Sequence, residues 1–232
     1  MAIISIKDIT KDYGNDRGVF DVSFNIKKGE VFGFLGPNGA GKTTTIRQML
    51  GFIHPDKGKI YIDGKLVKNN YYLTNDKIGY LPGEINFPEG MKGTEFIKWT
   101  AELRGLHDLD RAYKLIDILN LKNADSDVKR MSKGMKQKIG IICAFMHEPE
   151  ILILDEPTSG LDPLMQEAFI ELVLEAKENG TTVLMSSHMF SEIEKTCDRT
   201  AIIRNGRITA IVDMNDISKS VHKEYKIKFI TH

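Results

Sequence analysis

Nine consecutive residues, Gly36-Pro-Asn-Gly-Ala-Gly-Lys-Thr-Thr44, have the types and spacing to hold a triphosphate. They contain G-x-x-x-x-G-K-T, a phosphate-binding P-loop. Phosphate oxygens are held best by several backbone N–H groups pointing into one concavity, where side chains would block the approach. Gly36, Gly39 and Gly41 remove those side chains and allow unusual backbone angles. Pro37, Asn38, Ala40 and Thr44 complete the nucleotide-contacting run. The N-terminus of the following helix adds unpaired N–H groups and a partial positive charge. Lys42 can reach the β and γ phosphates, and the Thr43 hydroxyl can ligate Mg²⁺.

Such a loop needs a partner that holds Mg²⁺ and activates water. Ile151-Leu-Ile-Leu-Asp155-Glu156 is a fully apolar run that ends in two carboxylates, with Pro157 after it. Asp155 then stands at the C-terminal end of a buried strand, where parallel sheets place their ligands. It is the expected Mg²⁺ partner. Glu156, one residue on, can orient or deprotonate the attacking water. Well over a hundred residues separate Lys42 from Asp155, an interval that a small P-loop kinase core does not need.

Both halves depend on elements that position them. Glu30 to Leu35 is a short apolar run after a Lys-Lys-Gly turn and reads as a buried strand; Thr44 to Gly51 reads as a helix ending at a glycine cap. Upstream, Ile3 to Ile9 and Val19 to Ile26 alternate apolar and polar residues, and the short turns joining these strands make them antiparallel. Downstream, Pro55 to Gly58 reads as a turn into Lys59 to Ile62, Asp63-Gly64 as a hairpin, and Ile78 to Leu81 as another strand. Residues of about 86–147 form a helical block with Thr94, Asp110 and Ser132 as caps. Asp162-Pro163 opens a helix that stops at Asn179-Gly180. Thr182 to Met185 reads as a buried strand ending in Ser186-Ser187-His188, then a short helix through Cys197 and a hairpin around Asn205-Gly206. Tyr225 to Phe229 alternates as a strand with no visible partner, which predicts that the stretch from 213 onward starts a C-terminal extension that is cut short.

The fold class is therefore α/β: a P-loop NTPase core with an antiparallel β subdomain and an inserted α-helical subdomain, all within one 232-residue domain. The 32 basic and 32 acidic residues cancel, so no bulk charge points to nucleic acid. Cys143 and Cys197 lack metal spacing and read as reduced, partly buried thiols of a cytoplasmic protein. The N-terminus lacks the charged start and apolar centre of a signal peptide. No apolar run approaches the roughly 18 residues that a membrane span needs.

Four motifs in order carry a family resemblance: Gly36 to Thr44, Ile151-Leu-Ile-Leu-Asp-Glu-Pro-Thr158, Ser159-Gly-Leu-Asp162 and Ser187-His188. Together they closely resemble the ATP-binding subunit of ATP-binding cassette (ABC) transporters, over residues of about 3–215. The resemblance implies ATP and Mg²⁺ as ligands and ATP hydrolysis as the reaction. It implies that Tyr13 stacks on adenine, that Glu156 is the catalytic base, that Asp162 crosses a dimer interface and that His188 is a switch residue contacting the γ-phosphate. It also implies two partners, a second nucleotide-binding subunit and a transmembrane permease subunit, with this chain peripheral on the cytoplasmic face of the membrane.

Two stretches depart from the family pattern. The signature Leu-Ser-Gly-Gly-Gln is here Met131-Ser132-Lys133-Gly134-Met135, which keeps Ser132 and Gly134 as a hydroxyl and a backbone N–H to face the nucleotide of the opposite subunit. In Tyr80-Leu-Pro-Gly83-Glu84, glycine stands where the family has a glutamine, and Glu84 is the nearest carboxylate. Pro-Gly-Glu at this place is similar to subunits of exporters of peptides, antibiotics and other amphiphiles. The competing class is a soluble ABC ATPase acting on ribosomes or nucleic acid. Such chains carry two cassettes or a long coiled-coil insertion, and this sequence has neither.

Overall fold

The computed structural model describes residues 2–68 and 77–220. The strand expected at Tyr225 to Phe229 lies outside the described residues. Two sheets organise the rest. The first is antiparallel, in the order β2 (Gly18–Lys27), β1 (Ala2–Asp12), β4 (Lys57–Ile62), β5 (Lys65–Leu66). The second runs β10 (Arg207–Asp213), β9 (Arg199–Arg204), β3 (Val31–Leu35), β8 (Thr182–Ser187), β7 (Ile151–Asp155), β6 (Ile78–Leu81). It is parallel from β9 to β6, and only β10 pairs antiparallel. The main helices among the described residues are α1 (Lys42–Met49), α2 (Gly93–Leu103), α3 (Asp110–Ile118), α4 (Lys133–Phe145), α5 (Pro163–Glu178), α6 (Phe190–Thr196) and α7 (Met214–Ser220), with a short 3-10 helix at Val128–Arg130.

The parallel sheet is a wall between two cores, because alternate residues of a strand point to opposite faces. On β7, Ile151 and Ile153 join a core with Ile46 and Met49 of α1 and the inward face of the antiparallel sheet. Leu152 and Leu154 join the other core, with Ile139 and Ile142 of α4 and Phe169 and Val173 of α5. Phe32 and Leu184 face the first core, whereas Val31, Val183 and Met185 face the second. Strands buried on both faces read as continuous apolar runs rather than alternating ones.

Several ends differ from the sequence expectation, each for a local reason. Thr94 does not cap α2. Its hydroxyl donates to Asp125 Oδ1 at 2.9 Å, and Lys92 takes the cap position, its N–H donating to Glu95 Oε2 at 2.9 Å. Asp110 is the first residue of α3, not its cap, and its own N–H donates to Asp108 Oδ1. Lys57 and Gly58 belong to β4 and not to a turn. Gly58 has φ of +85°, and a Cβ there would meet the Asp8 carbonyl oxygen at 2.4 Å, at the register shift between β1 and β4. Ser132 and Asp162 cap as expected: Ser132 Oγ accepts from Met135 N–H at 3.2 Å and Asp162 Oδ1 from Met165 N–H at 3.1 Å.

Candidate functional site

The P-loop joins β3, the strand flanked by β8 and β9, to α1. Two different constraints call for glycine in this loop. Gly39 and Gly41 have φ of +78° and +108°, which side chains disfavour. Gly36 has no such angle; a Cβ there would lie 2.4 Å from the Ile203 carbonyl oxygen of β9. Asn38 to Thr44 line a cavity of about 1110 Å³ together with Tyr13, Phe20, Glu156 and Arg207. Tyr13 is 55 % exposed at its mouth. Gly36 and Pro37 turn their carbonyl oxygens to the Lys42 ammonium, at 2.6 and 3.2 Å, and so form its seat.

The carboxylates arrive from the neighbouring strand ends. Thr43 Oγ1 donates to Asp155 Oδ2 at 2.7 Å, and Ser186 Oγ of β8 donates to Asp155 Oδ1 at 2.6 Å. Ser186 Oγ also accepts from Glu156 N–H at 3.0 Å. Glu156 has φ of +50°, a left-handed conformation that projects it off the strand axis. Its Oε1 lies 3.0 Å from Lys42 Nζ and its Oε2 2.7 Å from His188 Nδ1. Gln137 of α4 is buried, and its amide donates to the Glu156 and Pro157 carbonyl oxygens, which ties the helical block to this turn.

A smaller cavity of about 340 Å³ opens beside Asp155, lined by Thr43, Arg47, Tyr80, Gly83, Glu84, Glu156 and His188 among others. A Cβ at Gly83 would sit 3.5 Å from Asp155 Oδ2, so the departing glycine does lie against this carboxylate. Burial, with the Asp155 charge adding to it, pushes the Tyr80 phenol up to about 12. Thr43 and Asp155 are hard oxygen donors on one side of the cavities, the set that suits Mg²⁺. Among the described residues no group of three or more His, Cys, Asp or Glu side chains is arranged to hold a metal. Phosphate and water oxygens must therefore complete the shell of any ion bound there.

The structure brings together Tyr13, the P-loop, Asp155, Glu156 and His188. It keeps Ser132, Gly134 and Asp162 away from both cavities of their own chain. Gly134 packs so closely on the Ser159-Gly160 turn that a Cβ would meet the Gly160 carbonyl oxygen at 2.5 Å, and Lys133 Nζ donates to Ser159 Oγ at 2.7 Å. Sequence reasoning missed Ser186, Gln137 and Arg207. Ser186 was open to discovery, since a hydroxyl at the end of a parallel strand, two residues before His188, sits where ligands gather; Gln137 and Arg207 carry no local signal. The thiols of Cys143 and Cys197 are buried, and burial pushes both up to about 12, so neither is reactive.

A phosphate cradle on a parallel strand, with carboxylates at the adjacent strand ends, defines a P-loop nucleotide triphosphatase. Comparison with known proteins narrows the class. The ABC transporter family matches residues 19–159. The bacitracin transport ATP-binding protein BcrA of Bacillus licheniformis is 38 % identical over 223 residues, which span 95 % of this chain and 73 % of BcrA. The linearmycin resistance ATP-binding protein LnrL of Bacillus subtilis is 37 % identical over 219 residues, 93 % of this chain and 70 % of LnrL. A solved ATP-binding subunit of an ABC transporter superposes with a TM-score of 0.82 at 33 % identity, over 94 % of this chain and 92 % of that one. The dimeric ABC transporter cassette MJ0796 shares the fold, with a TM-score of 0.82 at 23 % identity over 91 % and 98 % of the two chains. The chain belongs to the ABC transporter family as an ATP-binding subunit, an ATPase whose hydrolysis is coupled to transport.

Proposed function

We propose that two copies of this chain, or this chain and a close paralogue, clamp two ATP molecules head to tail and so drive a separate membrane subunit. The loop amides and Lys42 bind the phosphates, and Tyr13 stacks on adenine, a contact worth on the order of 1–3 kcal/mol per base. Thr43 and Asp155 hold Mg²⁺, which when bound neutralises phosphate charge. Glu156 takes a proton from the attacking water on a carboxylate oxygen, and His188 orients that carboxylate and senses the γ-phosphate. Ser132 and the Gly134 N–H, remote from their own cavity, face the nucleotide of the other copy, and Asp162 crosses the interface. The single cassette carries its helical insertion at about 86–147 and stands at the cytoplasmic face of the membrane; no helix among the described residues is long and apolar enough to cross it. The permease docks beside Gly83 and Glu84. The exposed side chains of Phe52, stacked edge-on with Tyr80, and of Trp99 support that surface.

The observation that carries this reading is the convergence of Lys42, Thr43, Asp155, Glu156 and His188 within contacts of 2.7–3.0 Å. Glu156→Gln should retain ATP binding, lower turnover by about a hundredfold or more, and give an ATP-dependent dimer in light scattering. Undiminished turnover would remove Glu156 as the base. Ser132→Ala should slow hydrolysis and leave ATP binding by the monomer intact; an unchanged rate overturns the trans contact. The cargo is a peptide, antibiotic or other amphiphile moved outward, a reading supported by the bacitracin and linearmycin relatives. Deleting the gene from its native host should then raise sensitivity to such compounds, and unaltered sensitivity across them rejects this cargo class.

A further inference from the structure

Glu192 on α6 is 4 % exposed, and no basic side chain pairs with it among the described residues. Its two oxygens accept from two hydroxyls, Thr158 Oγ1 and, at 2.6 Å, Ser187 Oγ. Both donors are themselves buried. Ser187 Oγ also accepts from Met189 N–H at 2.9 Å, so it pins the backbone on either side of His188. Burying a carboxylate costs several kcal/mol unless hydrogen bonds offset it, and an apolar side chain of similar volume gives a fold as stable or more so. Stability alone does not account for this group.

What it joins does account for it. Thr158 is two residues past Glu156, and Ser187 is one residue before His188. The contacts close into a ring: Glu156, along the chain to Thr158, across the Glu192 carboxylate to Ser187, along the chain to His188, and back to Glu156 through the 2.7 Å contact. One junction of the ring is buried and rigid. The other is the His188–Glu156 contact, in which the His188 side chain is half exposed, and a contact open to solvent holds geometry weakly on its own.

We propose that Glu192 is a positioning residue for hydrolysis, which locks the loop after β7 to the loop after β8 so that His188 stays against Glu156. The proposal rests on Glu156 and His188 being the hydrolytic pair. Glu192 touches neither nucleotide cavity, so its removal should act on turnover and not on nucleotide affinity.

The test is a double-mutant cycle on the full chain, with ATP hydrolysis, ATP binding and thermal melting read for each variant. Glu192→Ala should lower kcat by about tenfold or more with KM and the ATP Kd changed by less than about threefold. Glu192→Gln, which keeps the volume and can bond both hydroxyls, should recover most of that loss. In a His188→Ala background, Glu192→Ala should cost less than about twofold more, because the residue it positions is gone. An unchanged kcat in folded Glu192→Ala overturns the proposal, as does an equal fold-loss in the His188→Ala background. Should Glu192→Ala melt below the assay temperature, Thr158→Val and Ser187→Ala remove one donor each and carry the same cycle. Glu156→Gln run in parallel separates the two readings: if it still turns over, the base assignment fails; if it is inert while the cycle is additive, only the positioning role fails.

Discussion

At the scale of single residues the site is governed by close approach. Gly41 combines φ of +108° with a Cβ position only 2.6 Å from Val19 Cγ1. Gly41→Ala should weaken ATP binding by about tenfold or more and lower the melting temperature, since strain and clash add; titration of ATP against the variant checks this. His147 gives a pH prediction. Burial, aided by the Arg104 charge, holds its imidazole down to about 4 from the ordinary 6.5. The folded chain thus binds this proton less readily than the unfolded one. Its contribution to stability is full above pH 6.5 and is lost as pH falls from there toward 4. Denaturant melts of the wild type should show this slope, and His147→Gln should flatten it. Lys42, Thr43, Asp155 and Glu156 were legible in the sequence because phosphate and metal chemistry admits few residue types at fixed spacing. Glu192 was not, because a glutamate on a short helix looks like any solvated one until its burial is known.

Elements were legible where a strong local signal and the tertiary structure agree. Asp162-Pro163 is such a case, with Asp162 accepting from Met165 N–H and proline at the first helical position. Asp162→Ala should cost about 1 kcal/mol of stability through the lost cap, read by urea melts. If it also slows hydrolysis far beyond what that loss explains, the residue acts across the dimer interface. Thr94 and Asp110 show the limit of local signals. Both have the cap residue type, but Asp125, thirty-one residues downstream, draws the Thr94 hydroxyl away, and Asp108 takes the N–H of Asp110. The Gly58 bulge was hidden for a similar reason: the neighbour that demands glycine is the backbone of β1, brought there by strand pairing.

For the whole molecule, the central sheet separates two cores that share one set of strands. Leu152 and Ile153 are adjacent and fully enclosed, yet they serve different halves. Either change to alanine should cost about 2–5 kcal/mol. Hydrogen exchange should locate the loss differently, with Leu152→Ala loosening α4 and α5 and Ile153→Ala loosening α1 and the antiparallel sheet. Identical exchange maps would show that the wall does not divide the molecule. The α/β class was legible from the order of apolar runs. The division into two cores was not, because a strand buried on both faces carries no alternation to reveal which residue faces which side.

The contact between Lys42 and Glu156 has a consequence for how ligand enters. The ammonium is already neutralised, by a carboxylate 3.0 Å away. A γ-phosphate that reaches Lys42 therefore competes with the Glu156 carboxylate for one ammonium, so its entry is an exchange of anions. In the proposed reading, phosphate binding and release of Glu156 are thereby coupled through the one ammonium that both anions share.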